Sequence, residues 1–194
     1  MANPSGAPDP AAATGHRAPS RSPRRETLGL SLAVLAMAAF WAWAGRWYGD
    51  EGSYLYCGKL AFEGQLPYRD FLYTQLPLVL YFYGAIAKFI APSIFVARAL
   101  SALITWGTAW LTIGLAHRLY GRSGALLTTL YFVTAWYPLF HLVIAKGYSG
   151  GALCLVGAVT LLLGRRGGMA RAIATGVLFG LAALVRTSAG LLLA

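Results

Sequence analysis

Acidic side chains are scarce in this sequence and unevenly placed. Its 194 residues hold six Asp and Glu against sixteen Lys and Arg, for a formal net charge of +10, and no acid follows Asp70. Four of the six acids, Asp50, Glu51, Glu63 and Asp70, fall within 47–80. Because the chain excludes carboxylates almost everywhere else, we expect this segment to carry its chemistry, with the rest serving as scaffold.

Charged residues of either sign are also few. They make up 11% of the chain against 58% hydrophobic residues, and the mean hydropathy is +0.59. Such a composition is typical of a polytopic membrane protein and excludes an ordinary soluble domain. The basic residues border apolar runs, where they orient the chain in the membrane. No basic stripe with interleaved aromatics stands clear of these runs, so nucleic acid is not an expected partner.

Cysteine is nearly absent. Cys57 and Cys154 lie far apart, without a CxxC or Cys/His spacing, so the sequence predicts no disulfide and no cysteine metal centre. Phosphate-loop and dinucleotide fingerprints are missing too, since 121–124 (Gly-Arg-Ser-Gly) lacks the Gly-Lys-Ser/Thr of a phosphate loop.

The N-terminal segment 1–27 is rich in Pro, Ala, Ser and Arg and is predicted to be a disordered tail. Arg17, Arg21, Arg24 and Arg25 precede the first apolar run, which places the tail in the cytoplasm. We interpret 28–45 as the first transmembrane helix. A cleaved signal peptide is the alternative, but this run is long for one and leads into aromatic residues rather than a small-residue cleavage site.

An outer loop is predicted over 46–93. Asp50 is placed to cap a short helix that stops at Gly64, with Tyr54 and Ala61 on one face, and an irregular turn follows around Pro67. This helix has too few apolar residues to cross the membrane, so we expect it to lie along the surface.

The segment 74–91 is long enough to span, and charge decides its placement. If it crosses, the basic connections 117–122 and 165–171 both fall outside; if it does not, both join the arginine-rich tail in the cytoplasm. We therefore interpret 74–91 as a second juxtamembrane helix, amphipathic or re-entrant, with its tyrosines at headgroup depth. Five crossings result, and the transmembrane bundle 94–194 contains the spans 94–116, 124–145, 150–164 and 172–194.

Asp50 and Glu51, at the outer end of a membrane helix, suit three roles. Desolvation beside lipid favours a general base for an acceptor hydroxyl or amine, the pair could bind a divalent cation, or the two are a helix cap and a solvated first turn. Four cations near the outer face are candidates to hold a phosphate, with lipid-interface anchoring as the alternative for each. These are Arg69, Lys88, Arg98 and Lys146. Arg186 interrupts the last apolar run, which suggests a functional or paired role or two shorter segments.

The order of these features resembles the N-terminal part of membrane glycosyltransferases of the GT-C class. The resemblance rests on Asp50-Glu51 after a membrane helix, 67–71 (Pro-Tyr-Arg-Asp-Phe), Pro77-Leu78, Arg98 at the start of a span, 119–122 (Leu-Tyr-Gly-Arg) and 185–190 (Val-Arg-Thr-Ser-Ala-Gly). The chain is most similar to bacterial members of the glycosyltransferase 39 group, which includes protein O-mannosyltransferases and the aminoarabinose transferase of lipid A. The expected fold is an all-α GT-C-type helical bundle.

The resemblance implies an enzyme of the bacterial inner membrane. It would move a sugar from a polyprenyl-phosphate donor to a lipid, glycan or protein acceptor at the outer face, with no certain cofactor beyond a possible divalent cation. Asp50 would match the catalytic carboxylate, with Glu51 as its partner. Substrate contacts are expected from six residues: Tyr68, Arg69, Asp70, Lys88, Arg98 and Lys146.

The chain departs from the family pattern in three ways. Relatives carry Glu-Lys or Asn-Lys before a Pro-Pro pair, where 74–77 reads Thr-Gln-Leu-Pro, and many place an Asp in the second outer loop, where 146–148 reads Lys-Gly-Tyr. Relatives are also longer, so these residues are expected to be part of a longer enzyme or a truncated product. A transporter or channel subunit, and a non-catalytic scaffold or degraded copy of the enzyme, are the alternative functions; inverted repeats would favour the transporter.

Cysteine accessibility tests the five-crossing topology. With Cys57 and Cys154 replaced by serine, single cysteines at Ser123 and Gly167 should resist a membrane-impermeant maleimide in intact cells and react after permeabilisation, because both basic connections are predicted to be cytoplasmic. Labelling of both positions in intact cells would contradict the topology.

Overall fold

The computed structural model describes residues 22–46, 49–164 and 168–185. These residues form seven helices: α1 Pro23–Ala44, α2 Gly49–Phe62, α3 Pro77–Phe89, α4 Ile94–Thr134, α5 Trp136–Val143, α6 Tyr148–Leu162 and α7 Met169–Val185. Within this part of the chain there is no strand, and one isolated bridge joins Pro67 to Phe71. The predicted all-α class is confirmed. Most of the predicted tail and Arg186 lie outside the described residues.

Helix α1 is longer than the predicted span. It begins at Pro23, where the missing N–H costs nothing, and its 22 residues extend over about 33 Å. The prediction that 23–27 belong to a disordered tail is therefore wrong. A stripe of small or branched buried side chains runs down the helix and packs on α4; it consists of Thr27, Ser31, Val34, Ala38 and Ala42.

Helix α4 folds back on itself at Gly121, whose φ of 68° and ψ of −158° are not helical. The second arm returns alongside the first, since Thr108 and Thr112 before the turn and Leu127 and Tyr131 after it line one cavity. The turn is tight: a Cβ on Gly124 would lie 2.8 Å from the Ala116 carbonyl oxygen. The predicted connection 117–122 is thus helical on both sides of one glycine, which supplies the left-handed φ.

The second arm leads into a broken segment. Ala135 (φ −79°, ψ 71°) separates it from α5, so the predicted span 124–145 consists of two helical pieces. Helices α5 and α6 then meet at an angle of 104° across a loop of four residues, 144–147. This bend places Ala145 and Lys146 beside the start of α2.

Membrane-crossing character follows from length and hydropathy. Among the described residues, α1 and α4 are long and apolar enough to cross, and α5 with α6 would add a third span if the bent pair counts as one. Helices α3 and α7 are apolar but shorter, at 13 and 17 residues. The protein thus has the helices of a membrane protein, whereas the number of crossings stays a prediction.

Helices α2 and α3 pack side by side in the same direction. Gly58 meets Gly84, and one turn further on the Phe62 carbonyl faces Lys88. The prediction that Tyr54 and Ala61 share one inner face of α2 is confirmed. Tyr54 and Gly58 are buried, and Ala61 is partly buried against the apolar cluster that Tyr54 forms with side chains of α3. Helix α3 is about 20 Å long, less than the hydrocarbon core of a bilayer.

The predicted stop at Gly64 is also confirmed. Gly64 takes a φ of 95°, its N–H bonds the Ala61 carbonyl, and the Gln65 N–H bonds the Leu60 carbonyl. These two bonds form a Schellman motif, which satisfies carbonyls left open at the helix end.

The Gly58–Gly84 contact generates a stability prediction. A Cβ on Gly58 would lie 2.5 Å from Gly84 Cα and 2.8 Å from the Leu80 carbonyl oxygen, both backbone atoms that cannot rotate away. We expect Gly58→Ala to lower the free energy of unfolding by about 1–3 kcal/mol, measured by SDS titration with circular dichroism.

Gly52→Ala is the matched control. Gly52 lies in the same helix with nothing within 4 Å of its would-be Cβ, so alanine should leave stability unchanged or raise it by up to about 1 kcal/mol. Equal effects at both positions would contradict the close packing of α2 on α3.

Candidate functional site

A buried ion pair joins α2 to α4. Arg98 Nε lies 2.8 Å from Glu51 Oε1 and Arg98 Nη2 lies 2.5 Å from Glu51 Oε2, so the guanidinium holds the carboxylate through two parallel bonds. The side chains are 1% and 0% exposed, respectively. Two charges so far from water are stable together only if their remaining hydrogen-bonding atoms also find partners.

Those partners come from the chain on either side. Arg98 Nη1 donates to the Gly45 carbonyl at 2.9 Å and Nη2 to the Arg46 carbonyl at 2.8 Å, while the Ala145 N–H donates to Glu51 Oε1 at 2.8 Å. Gly45 and Arg46 follow the last residue of α1, where backbone carbonyls lack helical partners. The pair therefore joins four segments: the end of α1, the start of α2, α4 and the α5–α6 loop.

This geometry changes two expected roles. Arg98 was predicted to hold an anionic substrate and Glu51 to assist catalysis, but each is buried and bound to the other and to the backbone. A substrate could reach neither group without breaking the pair. We therefore assign both a structural role.

Asp50, one residue before Glu51, points the other way. Its side chain is 59% exposed, and Oδ2 accepts a 2.6 Å hydrogen bond from Lys146 Nζ. Its second oxygen makes no hydrogen bond within the described residues. Asp50 lies inside the first turn of α2 rather than at the N-cap, because the helix begins at Gly49. Its carboxylate is therefore available to a ligand from the open side.

Lys146 lies between Asp50 and an apolar cavity. Its side chain is only 10% exposed, its ammonium lies 5.9 Å from the centre of the Tyr148 ring, and its carbonyl accepts a 2.9 Å bond from the Tyr83 hydroxyl. The cavity holds about 180 Å³, and its walls include Leu78, Phe82 and Ile104. The structure thus places a carboxylate, an ammonium and an apolar hollow next to one another.

The turn at 66–71 forms a separate polar group. Arg69 Nε and Nη2 bind the two oxygens of the neighbouring Asp70, at 2.8 and 2.9 Å, and the Leu66 N–H donates to Asp70 at 2.7 Å. Because the Arg69 hydrogen bond and then the Leu66 N–H favour the carboxylate, the pKa of Asp70 falls to about 2. Arg69 and Asp70, predicted to contact substrate, are thus bound to each other and exposed.

Tyr68 attaches this turn to α2. It has a positive φ of 69°, donates its hydroxyl to the Gln75 carbonyl, and stacks edge-on with Tyr73, whose ring in turn meets Tyr54. Tyr54 lies one helical turn beyond Asp50. The predicted contact residue Tyr68 is therefore connected to the site through two rings rather than placed beside it.

Lys88 lies away from the other candidates. It is exposed near the end of α3, 3.4 Å from the Phe62 carbonyl and 5.2 Å from the centre of the Phe62 ring. Asp50 lies in the first turn of α2 and Phe62 is the last residue of that helix, so about 18 Å of helix separates the two residues. The structure does not bring Lys88 to the Asp50 site.

Two tyrosines matter that sequence reasoning did not single out. Tyr83 is 1% exposed and holds the Lys146 carbonyl and the Ser101 hydroxyl. The Tyr73 hydroxyl is buried and lacks a hydrogen-bond partner among the described residues, and burial raises its pKa. For Tyr83 the available signal was an apolar helix with two tyrosines, which also fits tyrosines at headgroup depth, whereas Tyr73 lies before that helix and had no such signal.

The arrangement offers little to a metal. Within the described ranges no three His, Cys, Asp or Glu side chains gather, and Glu51 turns away from Asp50 into the core. A divalent cation at this place would have Asp50 as its protein ligand and would need further oxygens from a substrate.

Comparison with protein-family models, with curated proteins and with solved structures found no match to this chain.

The buried pair makes a stability prediction. Glu51→Gln keeps the shape but leaves the Arg98 charge buried without a counter-charge, so the free energy of unfolding should fall by about 3–5 kcal/mol in an SDS titration. Glu63→Gln is the control, since Glu63 forms an exposed pair with Lys59 at 3.6 Å and should change stability by less than about 0.5 kcal/mol. Equally small losses of unfolding free energy in the two variants would show that the Glu51–Arg98 pair contributes little to stability.

Proposed function

We propose that this chain is the N-terminal part of a membrane glycosyltransferase that uses a polyprenyl-phosphate sugar, with Asp50 as the general base. The order of motifs from Asp50-Glu51 to 119–122 supports the reaction class. The different surroundings of the two adjacent acids support the choice of residue, because Glu51 is fully buried in an ion pair whereas Asp50 is exposed beside Lys146.

That contrast is the observation on which the proposal rests. A general base must be reachable by the group it deprotonates and must be held in position. Asp50 meets the first requirement through its exposure and the second through Lys146 on one side and the anchored backbone of Glu51 on the other.

The proposed reaction balances between the sugar donor and the acceptor alone, without an oxidant or a further co-reactant. Asp50 takes the proton of an acceptor hydroxyl, the hydroxyl oxygen bonds to the anomeric carbon of the sugar, and the bond from that carbon to the phosphate oxygen breaks. The polyprenyl phosphate leaves with the bonding electrons and gains a negative charge. Transfer requires that this charge be balanced as it forms.

Lys146 suits the leaving phosphate. An ammonium carries three donors, so Lys146 can bind Asp50 and a phosphate oxygen together. The neighbouring cavity of about 180 Å³ has aliphatic and aromatic walls, which match the apolar chain attached to that phosphate. With Arg98 committed to Glu51, Lys146 is the predicted phosphate-binding cation that the structure places at Asp50.

Asp50→Asn tests the proposal. In membranes from cells that express the substitution in the full-length protein, transfer from a radiolabelled polyprenyl-phosphate sugar to endogenous acceptor should fall at least about a hundredfold, because asparagine cannot accept the proton. Membrane insertion and the SDS unfolding curve should stay unchanged, since Asp50 is exposed.

The matched control is Glu63→Gln, an exposed acid near the far end of α2, which should leave transfer unchanged. Transfer that persists in Asp50→Asn would exclude Asp50 as the base. No transfer by the unaltered full-length protein with any lipid-linked sugar would contradict the proposed function and favour a membrane scaffold.

A further inference from the structure

A second cavity lies where α1 begins, about 33 Å along that helix from the Asp50 site. It holds about 290 Å³ between the first turn of α1, the end of the first arm of α4 and α6. Its lining includes three basic residues, Arg24, His117 and Arg118, and three large apolar ones, Trp110, Leu111 and Leu115. Basic and apolar walls therefore face a single hollow.

The charges around this cavity are unbalanced. Glu26 is the one acid on the adjoining turn of α1, and it binds Arg122 at 2.8 Å and lies 3.8 Å from His117. Arg24 and Arg118 are exposed, and neither lies within ion-pair distance of a carboxylate in the part of the chain that the structure describes. Among the described residues, these two guanidinium groups at the cavity have no counter-charge.

The start of α1 adds to this positive field. Pro23 and Arg24 begin its first turn, which also contains Glu26, and no side chain caps that end of the helix. The N-terminal end of a helix carries partial positive charge and attracts anions. The helix end and both arginines therefore favour a negatively charged group at the same place.

The apolar wall decides what kind of anion fits. Trp110 is 38% exposed despite its size, and Leu111 and Leu115 lie beside it along α4. A free phosphate would gain nothing from these side chains, whereas a phospholipid would place its phosphate near the arginines and an acyl chain along the tryptophan.

We propose that this cavity binds an anionic phospholipid at the end of the bundle opposite Asp50. The site is separate from the transfer reaction and does not depend on it. The positive-inside prediction places this end in the cytoplasmic leaflet, which is rich in anionic lipids. A bound lipid would supply the counter-charge that the described residues do not give Arg24 and Arg118.

Lipid retention measures the proposal directly. The protein is exchanged into detergent containing equal amounts of phosphatidylglycerol and phosphatidylcholine, and bound lipids are counted by native mass spectrometry. We expect one phosphatidylglycerol retained in preference to phosphatidylcholine. Arg24→Gln and Arg118→Gln should each weaken its retention about fivefold, and the double variant about twentyfold or more, because each cation beside an anionic lipid contributes a factor of this size.

Three controls define the interpretation. Lys59→Gln removes an exposed cation at the other end of the protein and should not change retention. The Arg24→Lys/Arg118→Lys variant keeps both charges and should restore retention, which separates charge from folding. Glycerol phosphate, which carries the headgroup charge without acyl chains, should not displace the lipid.

The proposal is overturned by any of three results. These are equal retention of phosphatidylglycerol and phosphatidylcholine by the unaltered protein, unchanged retention in the double glutamine variant, and displacement by glycerol phosphate. The last result would indicate a soluble phosphate site.

Discussion

The ion pair between Glu51 and Arg98 is the interaction on which the end of this protein around α2 depends. It gathers the end of α1, the start of α2, the first turn of α4 and the α5–α6 loop around two charges with almost no exposure. Since an unpaired charge in such a place is strongly unfavourable, none of these segments can move far without the others. The apolar packing of small residues between α1 and α4 supports the arrangement but does not determine its position around α2.

The exposed acid next to the pair gains its position from it. Asp50 and Glu51 are adjacent in sequence and point to different environments, so the chain uses one carboxylate for structure and leaves the other open. Lys146 reaches Asp50 because Ala145, its neighbour, is bound to Glu51. Asp50 and Lys146 can therefore keep their relative position although they lie at the junction of several short helices.

Local sequence patterns predicted much of this fold, but they did not predict which side chains pair across long stretches of the chain. The all-helical class, the inner face of α2 and the stop at Gly64 follow from composition, periodicity and glycine chemistry. The pairing of Glu51 with Arg98 joins residues 47 positions apart, which no local pattern reveals. A clue was present, because Glu51 falls in helical register with buried Tyr54 and Gly58 and Arg98 is a lone charge early in an apolar span. The connection at 117–122 was predicted, but its reduction to the single residue Gly121 was not, because a basic connection has the same composition whether it is a loop or two helix ends.

The spacing of the buried pair along the chain has a consequence for biosynthesis. Glu51 leaves the ribosome 47 residues before Arg98 and 94 before Ala145, so α1 and α2 are made while their central carboxylate has no partner. A bare carboxylate is costly in hydrocarbon, and α2 must therefore remain in the hydrated interface at that stage. Insertion of α4 then delivers the guanidinium, and the α5–α6 loop completes the set. The α5–α6 loop supplies the last hydrogen bond to the buried carboxylate and also brings Lys146 to Asp50. The proposed site therefore exists only in molecules in which this loop has been made and has packed against α2.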